Sequence, residues 1–252
     1  MRILRIIFLP LLYLFLIIVL MWIWVAEKIV AKYSKVGDSE FFDKRQFAWT
    51  SNIEKNWMII RRELEGVLTN AEDLPNFQDI SPEQKALTAD NHWKTFFLYG
   101  YGLKSEKNCS ACPSTAMLLE GIPGMTTAFF SVLSPGKHIP EHRGVYNGVL
   151  RYHLGLIVPK NKEKCRIRVG STVKHWSEGD SLIFDDTYMH QVWNDTEHLR
   201  VVMFVDFKRP LPLPVALLND LTIWIIQKTP FVQRAWKNQK SWEAKFYKAK
   251  AN

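Results

Sequence analysis

The sequence predicts a mainly β core of short antiparallel strands, a sandwich or barrel, with flanking helices and an N-terminal transmembrane helix. Three observations carry this reading. Between Phe129 and Phe207 run six to eight short apolar or alternating stretches, among them TTAFFSVL, RYHLGLIV, CRIRV, TVKHW, SLIFD and LRVVMFVDF, separated by Gly, Pro, Asn and Asp. From Ser39 to Leu119 apolar residues recur mainly at helical spacing. Ile6 to Ala26, IIFLPLLYLFLIIVLMWIWVA, is an uncharged run of 21 residues.

Taken in order, residues 1–37 form an anchor and its juxtamembrane segment. A helix rises ~1.5 Å per residue, so the run is long enough for the hydrocarbon core. Pro10 lies in its first turns, and Trp22 and Trp24 stand where an interfacial belt is expected. The run is longer than the apolar part of a signal peptide and lacks a small-x-small cleavage site.

Residues 38–119 form a mainly helical support. In EKNWMIIRRELEGVL, Trp57, Ile60, Leu64 and Val67 recur at three- and four-residue steps, with Ser51 or Asn52 as cap and Gly66 near the end. WKTFFLYGYG, Trp93 to Gly102, reads as a core or edge strand, with a substrate channel as the functional alternative. CPSTAMLL reads as a short helix with Pro113 near its start. The three cysteines form no disulfide framework, and Cys109-x-x-Cys112 lacks a second pair to complete a zinc site.

Residues 120–210 hold the β core and the chemistry. His142 lies in the loop SPGKHIPEHRGVYNG, and His190 closes DSLIFDDTYMHQVWND. Strand residues alternate faces, so Arg151, His153 and Gly155 share one side, as do Arg200, Val202 and Phe204. Imidazoles suit non-heme iron, and an arginine at the inner end of a strand gives a bidentate fork for a carboxylate. The set reads as a site for Fe(II) and a dicarboxylate cosubstrate. His175 and His198 read as surface residues, and Arg166 and Arg168 as an exposed strand face with anionic headgroup contact as the alternative.

Residues 211–252, after RPLPLP, return to helix. Leu217, Leu218, Leu221, Trp224, Ile225 and Phe231 suggest an amphipathic, membrane-associated face that Asn219 and Asp220 interrupt. A net charge of +8 with dispersed basic residues, or residues clustered beside apolar segments, fits an anionic membrane surface and not a nucleic acid.

On the H-R-G loop, R-Y-H-L-G-L, C-R-I-R-V, W-x-x-G-D, F-D-D-x-x-x-H-x-V-W and the later Arg200, the stretch from Phe129 to Pro210 resembles the aspartyl/asparaginyl β-hydroxylase family of Fe(II)- and 2-oxoglutarate-dependent dioxygenases. The resemblance implies a double-stranded β-helix (a cupin-like jelly roll), His142 and His190 as iron ligands, and Arg200 as partner of the distal carboxylate of 2-oxoglutarate. Ser131 and Arg151 fall at further cosubstrate positions, and O₂ is the co-reactant; His153, on the Arg151 face, reads as a pocket or carboxylate contact, with a structural role as the alternative. Gly144 stands where many iron dioxygenases carry a ligating carboxylate. Water is then the expected third ligand, with Glu141, Asp185 and Asp186 as substitutes.

The anchor and the proline-rich tail are most similar to the bacterial lipid A hydroxylase branch. The expected activity is hydroxylation of an acyl chain of lipid A or a related lipid, with a lipid partner. The expected location is the bacterial inner membrane with the catalytic domain in the cytoplasm, where iron, 2-oxoglutarate and reduced thiols are found. Hydroxylation of Asp or Asn in a peptide is the enzymatic alternative, and a non-catalytic lipid- or carboxylate-binding module the alternative outside enzymes.

Overall fold

The computed structural model describes residues 2–250, with side chains described from residue 17 on. The chain enters as helix α1 (Arg2–Tyr33), makes the short strand β1 (Phe41–Phe42), and continues through α2 (Thr50–Lys55), α3 (Trp57–Leu68) and α4 (Phe77–Ile80). Next come β2 (Trp93–Gly100), β3 (Leu103–Lys104), α5 (Glu106–Ala111) and α6 (Pro113–Glu120). The β core follows: β4 (Met125–Leu133), β5 (Lys137–His142), β6 (Val149–Ile157), β7 (Cys165–Val169), β8 (Thr172–His175), β9 (Ser181–Phe184), β10 (His190–Asn194) and β11 (Arg200–Lys208). Two helices close the chain, α7 (Val215–Gln227) and α8 (Pro230–Lys250).

Two sheets result, one in the order β1-β9-β6-β11-β4-β2-β3 and one in the order β5-β10-β7-β8. Within the core the pairings nest: β4 with β11, β5 with β10, β6 with β9 and β7 with β8, all antiparallel. A ribbon folded on itself in this way, first strand to last, is a jelly roll, with both sheets curling toward one interior.

The period of two decides what faces that interior. On β11, Val201, Met203, Val205 and Phe207 join the cluster that includes Ile60 and Leu64 of α3 and Leu119 of α6. The intervening Arg200, Val202, Phe204 and Asp206 therefore point to the opposite face, between the sheets. On β6, Tyr152, Leu154 and Leu156 go to the helix side, which turns Arg151 and His153 inward, and on β4 the buried Phe130 and Val132 leave Ser131 inward in the same way. The second cluster, with Leu133, Ile167, Trp176, Phe184, Val192 and Val202, fills the space between the sheets. At ~25 cal/mol per Å² of apolar area, both faces of the large sheet stabilise the fold, so polar groups survive on it only where they have a task or a partner.

Three sequence expectations change. The segment KHIPEH, read as loop, is the strand β5, and His142 ends it. Pro140 concealed this, because proline has no N–H for a ladder; β5 is the edge of its sheet, where one side needs no partner. The helix read as continuous from Ser51 breaks at Asn56, which separates α2 from α3.

The third concerns the transmembrane span over Ile6–Ala26. The side chains of residues 6–16 lie outside the described residues, and among the described residues no helix is long and apolar enough to cross a membrane. Further along α1, Ala26 and Val30 are buried with Tyr146, Leu211, Ile226 and Val232, while Leu20, Met21 and Trp24 are exposed. Trp22 Nε1 donates to Thr222 Oγ1 of α7 at 3.0 Å.

The last helix is held to the domain along its length. Asn238 Nδ2 donates to the Ile80 carbonyl (3.0 Å), and Trp242 Nε1 to the Asp73 carbonyl (3.1 Å). The buried Glu243 accepts from Ser105 Oγ (3.0 Å) and from the Lys107 N–H (2.9 Å) at the start of α5.

Candidate active site

His142 and His190 are register partners across β5 and β10, and their ring centroids lie 4.1 Å apart. Each ring is oriented by its own backbone. Nδ1 of His142 bonds the Pro140 carbonyl at 2.8 Å, and Nδ1 of His190 bonds the Tyr188 carbonyl at 3.0 Å. A carbonyl only accepts, so Nδ1 carries the proton and each Nε2 keeps its lone pair, the tautomer in which imidazole binds a metal. Burial, with Arg151 nearby, lowers the pKa of His142, and burial with His142 and Arg151 brings His190 down to about 3. Both are neutral donors at physiological pH.

Beside this pair lies a second group on the inward face of β4, β6 and β11. Arg200 is 1 % exposed, its Nε has no partner, and its guanidinium lies 4.6 Å from the Trp176 ring. Ser131 Oγ is 3.5 Å from Arg200 and accepts from Trp93 Nε1 at 3.1 Å. The buried His153 has both ring nitrogens unpartnered, and burial with Arg200 and Arg151 nearby holds its pKa well below the ordinary range. Leaving such groups unpaired costs ~1–3 kcal/mol each, more for a charge. A carboxylate-bearing molecule would satisfy guanidinium, hydroxyl and imidazole together, so the donor set fits a dicarboxylate next to a metal held by two imidazoles.

Arg151 is engaged differently. Its Nε donates to Asp206 Oδ1 at 2.9 Å, a terminal nitrogen reaches Asp186 Oδ2 at 2.8 Å, and the guanidinium covers the Phe204 ring at 4.2 Å. Burial, together with Asp206 and Asp185, raises Asp186 above the ordinary carboxylate range despite Arg151. The position of Asp186 also explains Gly144: a Cβ there would run into the Asp186 carboxylate, so the pocket has no room for a side chain at 144. Of the other substitutes for a third ligand, Glu141 is bound to Arg168 and Asp185 to Arg209. Among the described residues no group of three or more His, Cys, Asp or Glu could hold a metal ion.

A cavity of about 410 Å³ extends from His142 and Asp186 past Tyr101, Phe97 and Phe204 to Ile223 and Trp236 on the C-terminal helices. Its walls are mostly apolar and aromatic. The aromatic strand β2 is a buried strand of the large sheet, as the core-strand reading expects, and its Trp93, Phe97 and Gly100 also line this cavity.

The whole sequence can now be set against known proteins. Residues 54–210 match the family model described as Aspartyl/Asparaginyl beta-hydroxylase. The chain belongs to this family. It is 51% identical over 222 residues to an ornithine lipid ester-linked acyl 2-hydroxylase of Rhizobium tropici, covering 88% of this chain and 79% of that protein. It is 37% identical over 164 residues to the aspartyl/asparaginyl beta-hydroxylase of Homo sapiens, covering 63% of this chain but 21% of the human protein. A prolyl-4-hydroxylase structure from Pseudomonas putida aligns over 61% of this chain and 88% of its own at 13% identity and a TM-score of 0.38. The family is one of hydroxylases, and the identical stretch shared with the Rhizobium protein reaches well beyond residues 54–210.

Two cavity residues, Asp206 and Gln239, escaped the sequence reading, and Tyr101 entered it only within the stretch WKTFFLYGYG. Asp206 left a signal, since it is a charge inside the apolar run LRVVMFVDF. Tyr101 sits at φ 50, an uncommon backbone for a non-glycine residue, held by Gln227 Nε2 on its carbonyl at 2.8 Å. Gln239 belongs to a helix read only for its outer face.

The buried imidazoles predict how stability responds to acid. His153 and His190 have folded pKa values below the unfolded ~6.5, so below that pH the unfolded chain binds protons that the folded chain refuses. The stability these rings contribute is full above pH ~6.5 and is lost as pH drops below it, by about 2 kcal/mol for His190 on reaching pH 5, while the raised carboxyl of Asp186 acts in the opposite sense. Urea denaturation of metal-free wild type and His190→Ala at pH 7.5 and pH 5 measures the loss; the same pH dependence in both would mean that this ring titrates alike in the folded and unfolded states.

Proposed function

We propose that this protein is an Fe(II)- and 2-oxoglutarate-dependent hydroxylase of a lipid acyl chain, an ester-linked chain of an ornithine lipid being the substrate closest to its relatives. The single observation that carries the reading is the juxtaposition of two carbonyl-oriented imidazoles with a buried guanidinium whose Nε has no partner, His142 of the pair opening onto an apolar cavity. His142 and His190 would hold iron through Nε2. Arg200, Ser131 and His153 would receive the carboxylate end of 2-oxoglutarate.

When bound, iron couples oxidation of 2-oxoglutarate by O₂, to succinate and CO₂, with insertion of the other oxygen atom into a C–H bond. The protein's own contribution is positioning and exclusion of water. Phe97, Phe129 and Phe204 form a continuous stack, with centroids 4.4 and 4.2 Å apart, that offers a hydrocarbon chain a smooth wall. Arg151 is neutralised by Asp186 and Asp206, so it offers no free cation to an Asp or Asn side chain. That favours a lipid over a peptide. The sequence resemblance pointed to lipid A; the identity to the Rhizobium protein extends over most of both chains, and the ornithine lipid is taken from it.

The outer surface supports access from a bilayer. Leu20, Met21 and Trp24 of α1 and Leu217, Leu221 and Trp224 of α7 are exposed on two helices that pack together, and Ile223 of α7 lines the cavity. We propose that this face rests on the membrane interface, in keeping with the Trp enrichment of such faces.

The test is to incubate iron-loaded protein with 2-oxoglutarate and ornithine lipid, lipid A or an Asp/Asn peptide, and follow succinate together with product mass. Ornithine lipid should gain one oxygen atom on its ester-linked chain. Oxygen gain on the peptide alone would refute the lipid reading.

A further inference from the structure

The helix α8 brings one polar side chain into the apolar cavity. Phe231, Val232, Ala235, Trp236 and Gln239 lie at helical spacing and all line it. Gln239 is 1 % exposed, and both its Oε1 and Nε2 lack any hydrogen-bond partner. An amide buried this way costs free energy twice, once for a donor and once for an acceptor. The fold does not need it for attachment of α8, since Asn238, Trp242 and Glu243 already supply those bonds. The helix also lies beyond the residues that match the family model, which end at 210.

A carboxamide with both functions open is complementary to a group that presents an acceptor and a donor side by side, and a secondary amide is such a group. A simple ester offers acceptors only. We infer that Gln239 is a specificity-determining residue that reads a secondary amide in the lipid substrate, fixing how far the chain enters and so which carbon faces His142 and His190. This rests on the lipid hydroxylase reading. It adds that selection among lipids is made by the linkage near the acyl chain.

The experiment compares two synthetic lipids with the same ester-linked acyl chain, one an N-acyl amino-acid lipid and one with that amide replaced by an ester. Wild type and Gln239→Leu are measured for binding to the metal-free protein, by quenching of tryptophan fluorescence, and for turnover by the iron-loaded enzyme. Wild type should prefer the amide lipid by about tenfold or more in Kd and KM. Gln239→Leu should lose that preference through weaker binding of the amide lipid, with the KM for 2-oxoglutarate unchanged. Gln239→Glu, which keeps an acceptor but loses the donors, should recover part of it at most.

The thermal midpoint of Gln239→Leu should be equal to or above that of wild type, because two unpaired buried polar atoms are gone; a merely structural glutamine would lose stability. If wild type binds both lipids alike, or Gln239→Leu retains the preference, the assignment of Gln239 is overturned even where the enzyme hydroxylates both. If wild type oxidises neither lipid, the activity reading fails, and the binding arm still decides on Gln239 alone.

Discussion

His190→Ala, and separately His142→Ala, should reduce hydroxylation to background, a loss on the order of a thousandfold or more, because the bound cofactor and not the protein performs the difficult step. Both side chains are arranged for donation by bonds that do not involve the metal. Their Nδ1 atoms are committed to the carbonyls of Pro140 and Tyr188, two residues earlier in each case. The ring direction is therefore set before any ligand arrives. Neither substitution should unfold the domain, because His142 ends an edge strand and the buried His190 is neutral, so its removal leaves no uncompensated charge. Circular dichroism and iron binding of each variant check the two halves of this expectation. Retention of iron stoichiometry by either variant would remove that histidine from the ligand set.

Much of this site could be read before the fold was known, and the reason is the two-residue period of strands. Once RYHLGLIV and LRVVMFVDF were read as strands, Arg151 with His153, and Arg200 with Phe204, were obliged to share a face. What the period could not supply was the partner of each group. It put Arg151 and Arg200 on equal footing, whereas pairing with Asp186 and Asp206 takes Arg151 to the cavity side and leaves Arg200 open. That difference depends on register between β6 and β11, where Asp206 faces Arg151, and on the turn that brings Asp186 over Gly144. Neither is local in sequence.

What surrounds a helix was less legible, for a related reason. An apolar run such as Ile6–Ala26 has the composition of a membrane span, and composition alone does not tell lipid from protein as the surrounding medium. Ala26 and Val30 meet α7 and the Tyr146 loop, while Leu20, Met21 and Trp24 meet neither. The same ambiguity hid Gln239. A glutamine in a polar, lysine-rich helix reads as surface, and only the packing of α8 over β2, where Trp236 lies 3.7 Å from the place of a Gly100 Cβ, turns it inward.

Arg209→Met should destabilise the protein by about 3–5 kcal/mol, the largest stability loss expected from one substitution outside the apolar core. The Arg209 side chain is fully buried and bonded to Asp185, whose side chain is 1 % exposed. Its other nitrogens serve the backbone, with Nε on the Asn147 carbonyl at 2.8 Å and Nη1 on the Gly37 carbonyl at 3.0 Å. One guanidinium thus ties the end of β11 to the loop after His142, to the segment after α1 and to the turn before His190. Methionine fills the volume but leaves the Asp185 carboxylate without its cation. Burial already raises that carboxyl while Arg209 lowers it, so the variant should take up a proton there, and its loss relative to the parent should shrink as pH falls toward 5.

His153 and His190 titrate on unfolding in variant and parent alike, so the pH dependence of the difference between the two belongs to the Asp185–Arg209 pair. Adding Asp185→Asn removes the charge and should return a large part of the loss, although the two carbonyls remain unserved. Urea midpoints of the two single variants and the double variant at pH 7.5 and pH 5 measure the coupling. Additive losses would mean that Asp185 and Arg209 are held independently by Thr187 and by the backbone, and that the ion pair does not join the two histidine-bearing segments.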